Sequence, residues 1–360
     1  MMQGARVTIM AGGTGGHVFP ALAVADRLSE LGCAVSWIGT GKGIENRVVP
    51  EAGYDLSLIP VSGLRGKGIK SLLLAPFQLT HALVSSLRIL ARLQPQLVLG
   101  FGGFVAGPVG LAARLRGDVL AIHEQNARAG TTNKILARWA NRVMTGFPNV
   151  FEKGTYVGNP IRNDIREIDK SLSASSSADL DGTLNILVLG GSQGARSLNQ
   201  IIPSTLCEIG KSNAIRVRHQ CGPRWLEETN AQYQSSGVEV EVLAFIDKMS
   251  EAYAWSDLVV CRSGAMTVSE VAAMGCPALF IPFPYAIDDH QTENAEWLLA
   301  VGGAELMQES EMDESSLVEK LTHLLRPEKL QEMAFASASA ALPDATDHIV
   351  DICKELINGR

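Results

Sequence analysis

The six cysteines (Cys33, Cys207, Cys221, Cys261, Cys276, Cys353) are scattered, with no CxxC and no metal-ligand spacing among them. That excludes a disulfide framework and a cysteine-built zinc site, and it suits a reducing compartment. Long apolar runs are missing too. The opening MMQGARVTIM is too short an apolar run for a secretory signal, and the longest uncharged stretch, residues 71–87, carries Pro76, Gln78, Thr80, His81 and serines, too short and polar to span a bilayer. Acidic residues are absent from 56–117, where Arg65, Lys67, Lys70, Arg88, Arg92, Arg114 and Arg116 stand alone. Charged residues overall are only 19% against 46% hydrophobic, the balance of a globular chain rather than a disordered one.

What is present divides in two. At 360 residues, about two domains are expected, each able to bury its own core. Residues 1–160 hold 16 Lys and Arg against 8 Asp and Glu, or +8, while 161–360 hold 15 against 30, or −15. A basic first half is either a solvated face or a surface for an anionic partner. Strand-length apolar runs at 7–10, 35–38, 96–99 and 119–122 alternate with helical patterns such as 21–31 and 79–93, which predicts a parallel sheet. A polar, serine-rich stretch at 168–182 reads as a linker. Beyond it the alternation restarts, with strand-like runs at 184–189, 238–243, 258–261 and 278–281.

The segment VTIMAGGTGGHVFPALAVADRL (7–28) places glycines and a histidine between a strand-like run and a helical pattern. Glycines there let the backbone approach a ligand, and the helix start offers N–H groups and a positive dipole end to an anion. A diphosphate suits such a loop. The GxGxxG fingerprint is not met, since Val18 stands where the third glycine belongs, and the second strand run ends WIGTG without an acidic residue for a nicotinamide ribose. SWIGTGKG (36–43) also misses the P-loop pattern. A tight turn without a ligand is the alternative, but NILVLGGSQGARSLNQ (185–200) repeats the device and points to an internal duplication. A third cluster, GFGGFVAGP (100–108), follows the run at 96–99. Such loops at strand C-terminal ends mark a binding crevice.

In DLVVCRSGAMTVSEVAAMGCPALFIPFP (257–284), a strand leads through Arg262, Ser263 and Gly264 into a helix. Thr267 and Glu270 there make either a capping box or a site in which phosphates rest on the helix start and Glu270 accepts hydrogen bonds from ribose hydroxyls. Gln291 and Asn294, in DDHQTENA (288–295), are amides suited to sugar hydroxyls. His17 at the tip of the first loop has the titration range of a general base; the alternative is a histidine that hydrogen-bonds only the backbone or a lipid diphosphate.

At GGTGGHVFPALAVA, GFGGFVAGP, HEQNARAGTTNK (123–134), VGNPIR (157–162), GGSQGARSLN and CRSGAMTVSE, in this order along essentially the whole chain, the sequence resembles the MurG family of bacterial cell-wall glycosyltransferases, glycosyltransferase family 28. The resemblance implies an α/β chain of GT-B architecture, two Rossmann-like domains whose parallel sheets face across a cleft. It implies an acceptor- and membrane-facing domain at 1–162, a donor-binding domain at 163–342, and a C-terminal helix at 343–360 returning to the first. It implies an inverting N-acetylglucosaminyltransferase, moving GlcNAc from UDP-GlcNAc to the C4 hydroxyl of lipid I to give lipid II in peptidoglycan synthesis, and so a place in cell shape and division. By resemblance the donor contacts are Thr14, Gly15, Gly16, Asn126, Arg162, Ser192, Ile246, Ala265, Met266, Thr267, Val268, Ser269, Glu270 and Gln291, with Ile246 acting through its backbone on uracil. His290 stands where the family commonly has a first glutamine.

Acceptor and membrane candidates are Lys67, Lys70, Leu73, Phe77, Gly102 and Gly103; Leu79, Leu83, Leu87 and Leu90 have helical spacing and are expected in the core. No cofactor or metal is expected to be required: the D-x-D at Asp179–Asp181 sits in the linker, and a helix N-terminus can stabilise departing UDP. The expected partners are UDP-GlcNAc, lipid I and an anionic membrane surface, with no nucleic acid and with contact to other cell-wall synthesis proteins left open. The expected location is peripheral, on the cytoplasmic face of the plasma (inner) membrane. A UDP-GlcNAc 2-epimerase, a transferase acting on another lipid, and a silent sugar-nucleotide binding module are the competing readings.

Overall fold

The computed structural model describes residues 2–61, 69–166, 182–191, 194–234 and 237–359, with the backbone alone at 69–75 and 287. The chain forms two compact units, Met1–Arg162 with Pro343–Arg360, and Asn163–Leu342. In the first, strands β1 (Arg6–Ala11), β2 (Ala34–Thr40), β3 (Asp55–Ile59), β4 (Leu97–Gly102), β5 (Leu120–Glu124), β6 (Arg142–Thr145) and β7 (Thr155–Tyr156) pair in parallel in the order β3-β2-β1-β4-β5-β6-β7. Strands β1 and β4 are apolar almost throughout because both faces are covered. Ile9 lies in one core cluster with Val18, Val24 and Leu28, while Met10 lies in the other with Val105, Val109 and Leu90.

The covering helices are α1 (Gly15–Glu30), α2 (Glu45–Glu51), α3 (Ile69–Leu93), α4 (Ala106–Arg116) and α5 (Thr131–Leu136). Two of them start earlier than their apolar patterns suggest. Helix α1 begins inside the glycine loop, with Thr14 in extended backbone as its N-cap, so His17 belongs to a first turn rather than to a loop tip. Helix α3 runs through Pro76, which lacks an N–H, and the Thr80 hydroxyl donates to the Pro76 carbonyl at 2.8 Å. Of the leucines expected in the core, Leu90 is buried with Leu83 and Leu87 against its cluster. Leu79 is 42% exposed and is not core.

The second unit contains β8 (Leu184–Leu189), β9 (Ile215–Gln220), β10 (Glu239–Leu243), β11 (Leu258–Cys261), β12 (Ala278–Phe280) and β13 (Ala304–Leu306), parallel in the order β10-β9-β8-β11-β12-β13. Counted from its own first strand, this is the order of the first six strands of the other unit, so the repeated glycine device marks a repeated topology. Its helices are α6 (Asn163–Arg166), α7 (Arg196–Ile209), α8 (Leu226–Tyr233), α9 (Met249–Trp255), α10 (Ala265–Ala273), α11 (His290–Leu299), α12 (Glu314–Leu324) and α13 (Pro327–Ala340). Both sheets are doubly wound and Rossmann-like, with loops at strand C-terminal ends available for ligands.

The last helix, α14 (Ala345–Asn358), is part of the first unit. Ile349, Val350, Cys353 and Ile357 share the core cluster of Leu28, and the Arg27 Nε donates to Asp347 Oδ1 at 2.7 Å.

Candidate active site

The first unit brings its glycine clusters together. Gly13, Gly102 and Gly103 have φ of 98°, 95° and 79°, a region that side chains with a Cβ rarely enter. A Cβ on Gly103 would run into the Gly12 carbonyl, and one on Gly102 would lie 2.9 Å from His17 Cδ2 and 3.2 Å from its Nε2. The imidazole therefore rests on the backbone of the second glycine cluster. Its other nitrogen, Nδ1, is 3.3 Å from Thr14 Oγ1. A Cβ on Gly15 would meet the Phe19 ring at 2.9 Å, and the Arg162 guanidinium lies over that ring at 5.3 Å from its centre. Thr14, Gly15, Gly16, His17, Gly102, Gly103 and Arg162 thus form one neighbourhood.

Beneath the loop is a carboxylate that its sequence position did not single out. Glu45, fully buried at the start of α2, accepts from Gly13 N–H at 2.9 Å, Thr40 N–H at 2.9 Å and the Thr40 hydroxyl at 2.7 Å. Burial alone would raise its pKa; the hydrogen bonds outweigh it and hold the carboxyl below its ordinary range. The glycines around Glu45 in GTGKGIE were the available signal.

The HEQN segment at the end of β5 is a second buried polar network. Glu124 Oε1 accepts from the Asn126 backbone N–H at 3.1 Å and side-chain amide at 3.2 Å, while Oε2 accepts from Gly130 N–H at 3.0 Å and Asn133 Nδ2 at 2.9 Å. Asn126 is therefore held in place by its neighbour. His123 is fully buried, its Nε2 2.9 Å from the Gly158 carbonyl oxygen, and burial pushes its pKa down to about 4, so it stays neutral near pH 7 and donates there.

In the second unit, α10 has Gly264 as its N-cap, and no acidic side chain in its first turn. Thr267 lies inside the helix, so the capping-box alternative is excluded. Val268 N–H bonds the Gly264 carbonyl at 3.0 Å; the N–H groups of Ala265, Met266 and Thr267 precede the first α-helical bond. Met266 and Thr267 are partly exposed, Val268 is buried, and the Ser269 hydroxyl donates to the Ala265 carbonyl at 2.9 Å. Glu270 is buried and accepts from the Tyr253 hydroxyl of α9 at 3.2 Å.

Arg262 braces the approach to this helix. Its guanidinium donates to the Ile281 and Pro282 carbonyls, each at 3.0 Å, to Ser197 Oγ at 2.9 Å, and to Glu309. Gln291 accepts from Phe283 N–H at 2.9 Å, which leaves its NH2 end for other contacts. Asn294 does not match the expectation of a sugar contact: it is fully buried, and its amide donates to the Ser263 carbonyl at 3.2 Å, tying α11 to the loop before α10. Just before Gln291, Asp288 and Asp289 both have left-handed backbone, φ 55° and 53°, a local strain at this turn. The Ile246 side chain is buried.

Ser192, Arg65, Lys67 and the D-x-D pair at Asp179 and Asp181 lie outside the described residues. Lys70 and Leu73 fall in the first turns of α3, and Phe77 on the same helix is 77% exposed. Among the described residues no helix is long and apolar enough to cross a membrane, and no three His, Cys, Asp or Glu side chains gather where they could hold a metal ion.

Comparison with known proteins gives this geometry a family. The glycosyltransferase family 28 N-terminal domain matches residues 7–145 and the family's C-terminal domain matches residues 185–349. The UDP-N-acetylglucosamine–N-acetylmuramyl-(pentapeptide) pyrophosphoryl-undecaprenol N-acetylglucosamine transferases of Halorhodospira halophila and Pseudomonas aeruginosa are each 49% identical to this chain, over 98% of it and 99% of their own length. The crystal structure of Acinetobacter baumannii MurG is 41% identical, with a TM-score of 0.85 over 98% of this chain and 99% of that one. A UDP-GlcNAc 2-epimerase from Neisseria meningitidis, 14% identical with a TM-score of 0.68 over 98% of this chain and 100% of its own, shares the fold alone. With both domains matched in order and near-full-length identity of this size, the chain belongs to glycosyltransferase family 28, a family of hexosyltransferases.

Proposed function

We propose that the chain transfers N-acetylglucosamine from UDP-GlcNAc to the C4 hydroxyl of lipid I, with inversion at the sugar's C1. The 49% identity over nearly the full length of relatives bearing that activity in their names carries the reading. In the step, the acceptor oxygen bonds to C1, the C1–oxygen bond to the β-phosphate breaks, and UDP leaves. The hydroxyl proton passes to His17, whose imidazole is held between Thr14 and Gly102. Glu270, fixed by Tyr253, accepts from the ribose hydroxyls, and the N-terminus of α10 receives the diphosphate charge without a required metal. Peripheral binding to an anionic membrane surface, through basic residues near the start of α3 and the exposed Phe77, brings the enzyme to its lipid acceptor.

The test is labelled UDP-GlcNAc with a short-chain lipid I analogue, following disaccharide product and anomeric configuration, with and without excess EDTA. A β-linked product formed only with acceptor, undiminished by EDTA, is expected. UDP released without acceptor, together with epimerised sugar, would instead make the chain a 2-epimerase; activity lost to EDTA and restored by a divalent cation would overturn the metal-free site.

A further inference from the structure

We propose that Glu45 is a positioning residue of the transfer reaction, acting through the backbone of Gly13 on the first turn of α1 and so on His17. The inference rests on the reading of His17 as the acceptor-side base. Three observations carry it. The carboxylate is fully buried, and the partners its oxygens accept from are all N–H and O–H donors: Gly13 on Oε2, and the backbone and hydroxyl of Thr40 on Oε1. The surrounding chain is shaped to it, because a Cβ on Gly12 would lie 2.6 Å from its Oε1 and one on Gly43 would collide with it outright. The same turn is pinned a second time, by Ile44 N–H donating to the Gly13 carbonyl at 3.4 Å.

Gly13 is thereby held from α2 on one side, while Gly103 closes on the Gly12 carbonyl from the other. The next residue, Thr14, is the N-cap of α1, and its carbonyl accepts from His17 N–H at 3.1 Å. Gly13 has φ of 98°, and the Glu45 carboxylate on its N–H, with Ile44 N–H on its carbonyl, holds it in that conformation. The bond also commits Gly13 N–H to Glu45. That donor is withdrawn from any bound diphosphate, which makes the turn a mount for the imidazole more than an anion cradle.

Glu45→Gln is the discriminating change. All three partners are donors, but the Thr40 hydroxyl can turn to accept, so the new amide NH2 is forced against at least one N–H group. The orientation that keeps both Thr40 bonds sets NH2 against Gly13 N–H and releases it. Because the groups proposed to hold UDP itself, Glu270 and the N-terminus of α10, lie in the second unit, kcat should fall about 10- to 100-fold while UDP affinity, read by calorimetry, stays within about twofold. His17→Ala, and the double variant, complete a cycle in which Glu45→Gln adds little once His17 is gone.

Wild-type kcat in Glu45→Gln, or full additivity with His17→Ala, would overturn the inference. So would kcat and UDP binding falling in the same proportion, the mark of a merely structural role. Near-normal turnover in His17→Ala alone defeats the reading of the base, whatever Glu45 does. If Glu45→Gln does not fold, Thr40→Val, which removes one of the three donors at nearly constant volume, should lower kcat several-fold at unchanged UDP affinity; unchanged kcat there overturns the proposal.

Discussion

The role proposed for Glu270 depends on its surroundings. An exposed carboxylate would gain little from a ribose hydroxyl already solvated by water, but Glu270 is buried beside Tyr253, so a new hydrogen bond to it is made away from bulk solvent. Glu270→Ala is expected to weaken UDP binding by about 1.5–3 kcal/mol, roughly 10- to 150-fold, with the fold intact by circular dichroism. Tyr253→Phe, which keeps the carboxylate, should cost less than a third of that. Unchanged calorimetric affinity in folded Glu270→Ala would remove it from the donor site. At this scale the sequence makes candidates of polar residues at a glycine-flanked or strand-to-helix junction, and the structure places His17 in the first turn of α1 and Glu270 buried in α10. At Asn294 two readings are open in the sequence, because an amide that can bond a sugar can equally bond a backbone carbonyl, as this one does at Ser263. Glu45 and Tyr253 are hard to single out because Gly13 and Glu270, which they bond, are 32 and 17 residues away; for Glu45 the glycines of GTGKGIE are the one local signal.

Among elements, the strands of the sheet centres were readable because burial on both faces makes them continuously apolar, as in β4 and β11. Strands β3, β6, β7, β9 and β13 were not marked, being short or polar on one face: in β9, Arg216 and Arg218 pair across to Glu239 and Glu241 of β10. Helix starts were placed too late, since glycine and proline in the first turns of α1 and α3 hide a helix that packing imposes. Helix α14 is the element whose partners are farthest away in sequence. Its Ile349 is fully buried with β1 and α1 residues, so Ile349→Ala should destabilise the first unit by about 2–5 kcal/mol. Phe335→Ala on α13, where Phe335 is 78% exposed, should change stability by less than about 0.5 kcal/mol. Hydrogen exchange separates the units: protection should fall in peptides of β1 and α1 but not of β8. Equal protection everywhere would show that α14 contributes nothing to that core.

Over the whole molecule, the charge imbalance persists when it is counted by structural unit. The first unit, counted with its C-terminal helix, holds 19 Lys and Arg against 12 Asp and Glu, or +7, and the second holds 12 against 26, or −14. A molecule with net charge −7 would be repelled by an anionic bilayer if its charge were evenly spread, so binding to such a surface requires the basic unit to act alone. Its acid-free stretch from 56 to 117 includes α3 with the exposed Phe77, which joins charge to an apolar contact. Electrostatic attraction of roughly 1 kcal/mol per well-placed Lys or Arg should therefore combine with insertion of apolar side chains, and salt alone should release only part of the protein from anionic vesicles. Lys67→Glu with Lys70→Glu should reduce binding at low salt. Leu73→Ser with Phe77→Ser should make the remaining binding fully salt-sensitive while turnover on a water-soluble acceptor persists. Co-sedimentation across a salt series reads all of this. Equal binding to neutral and anionic vesicles, or indifference to both pairs of substitutions, would mean that the basic charge of the first unit is only a solvated face and that the acceptor is met through another surface.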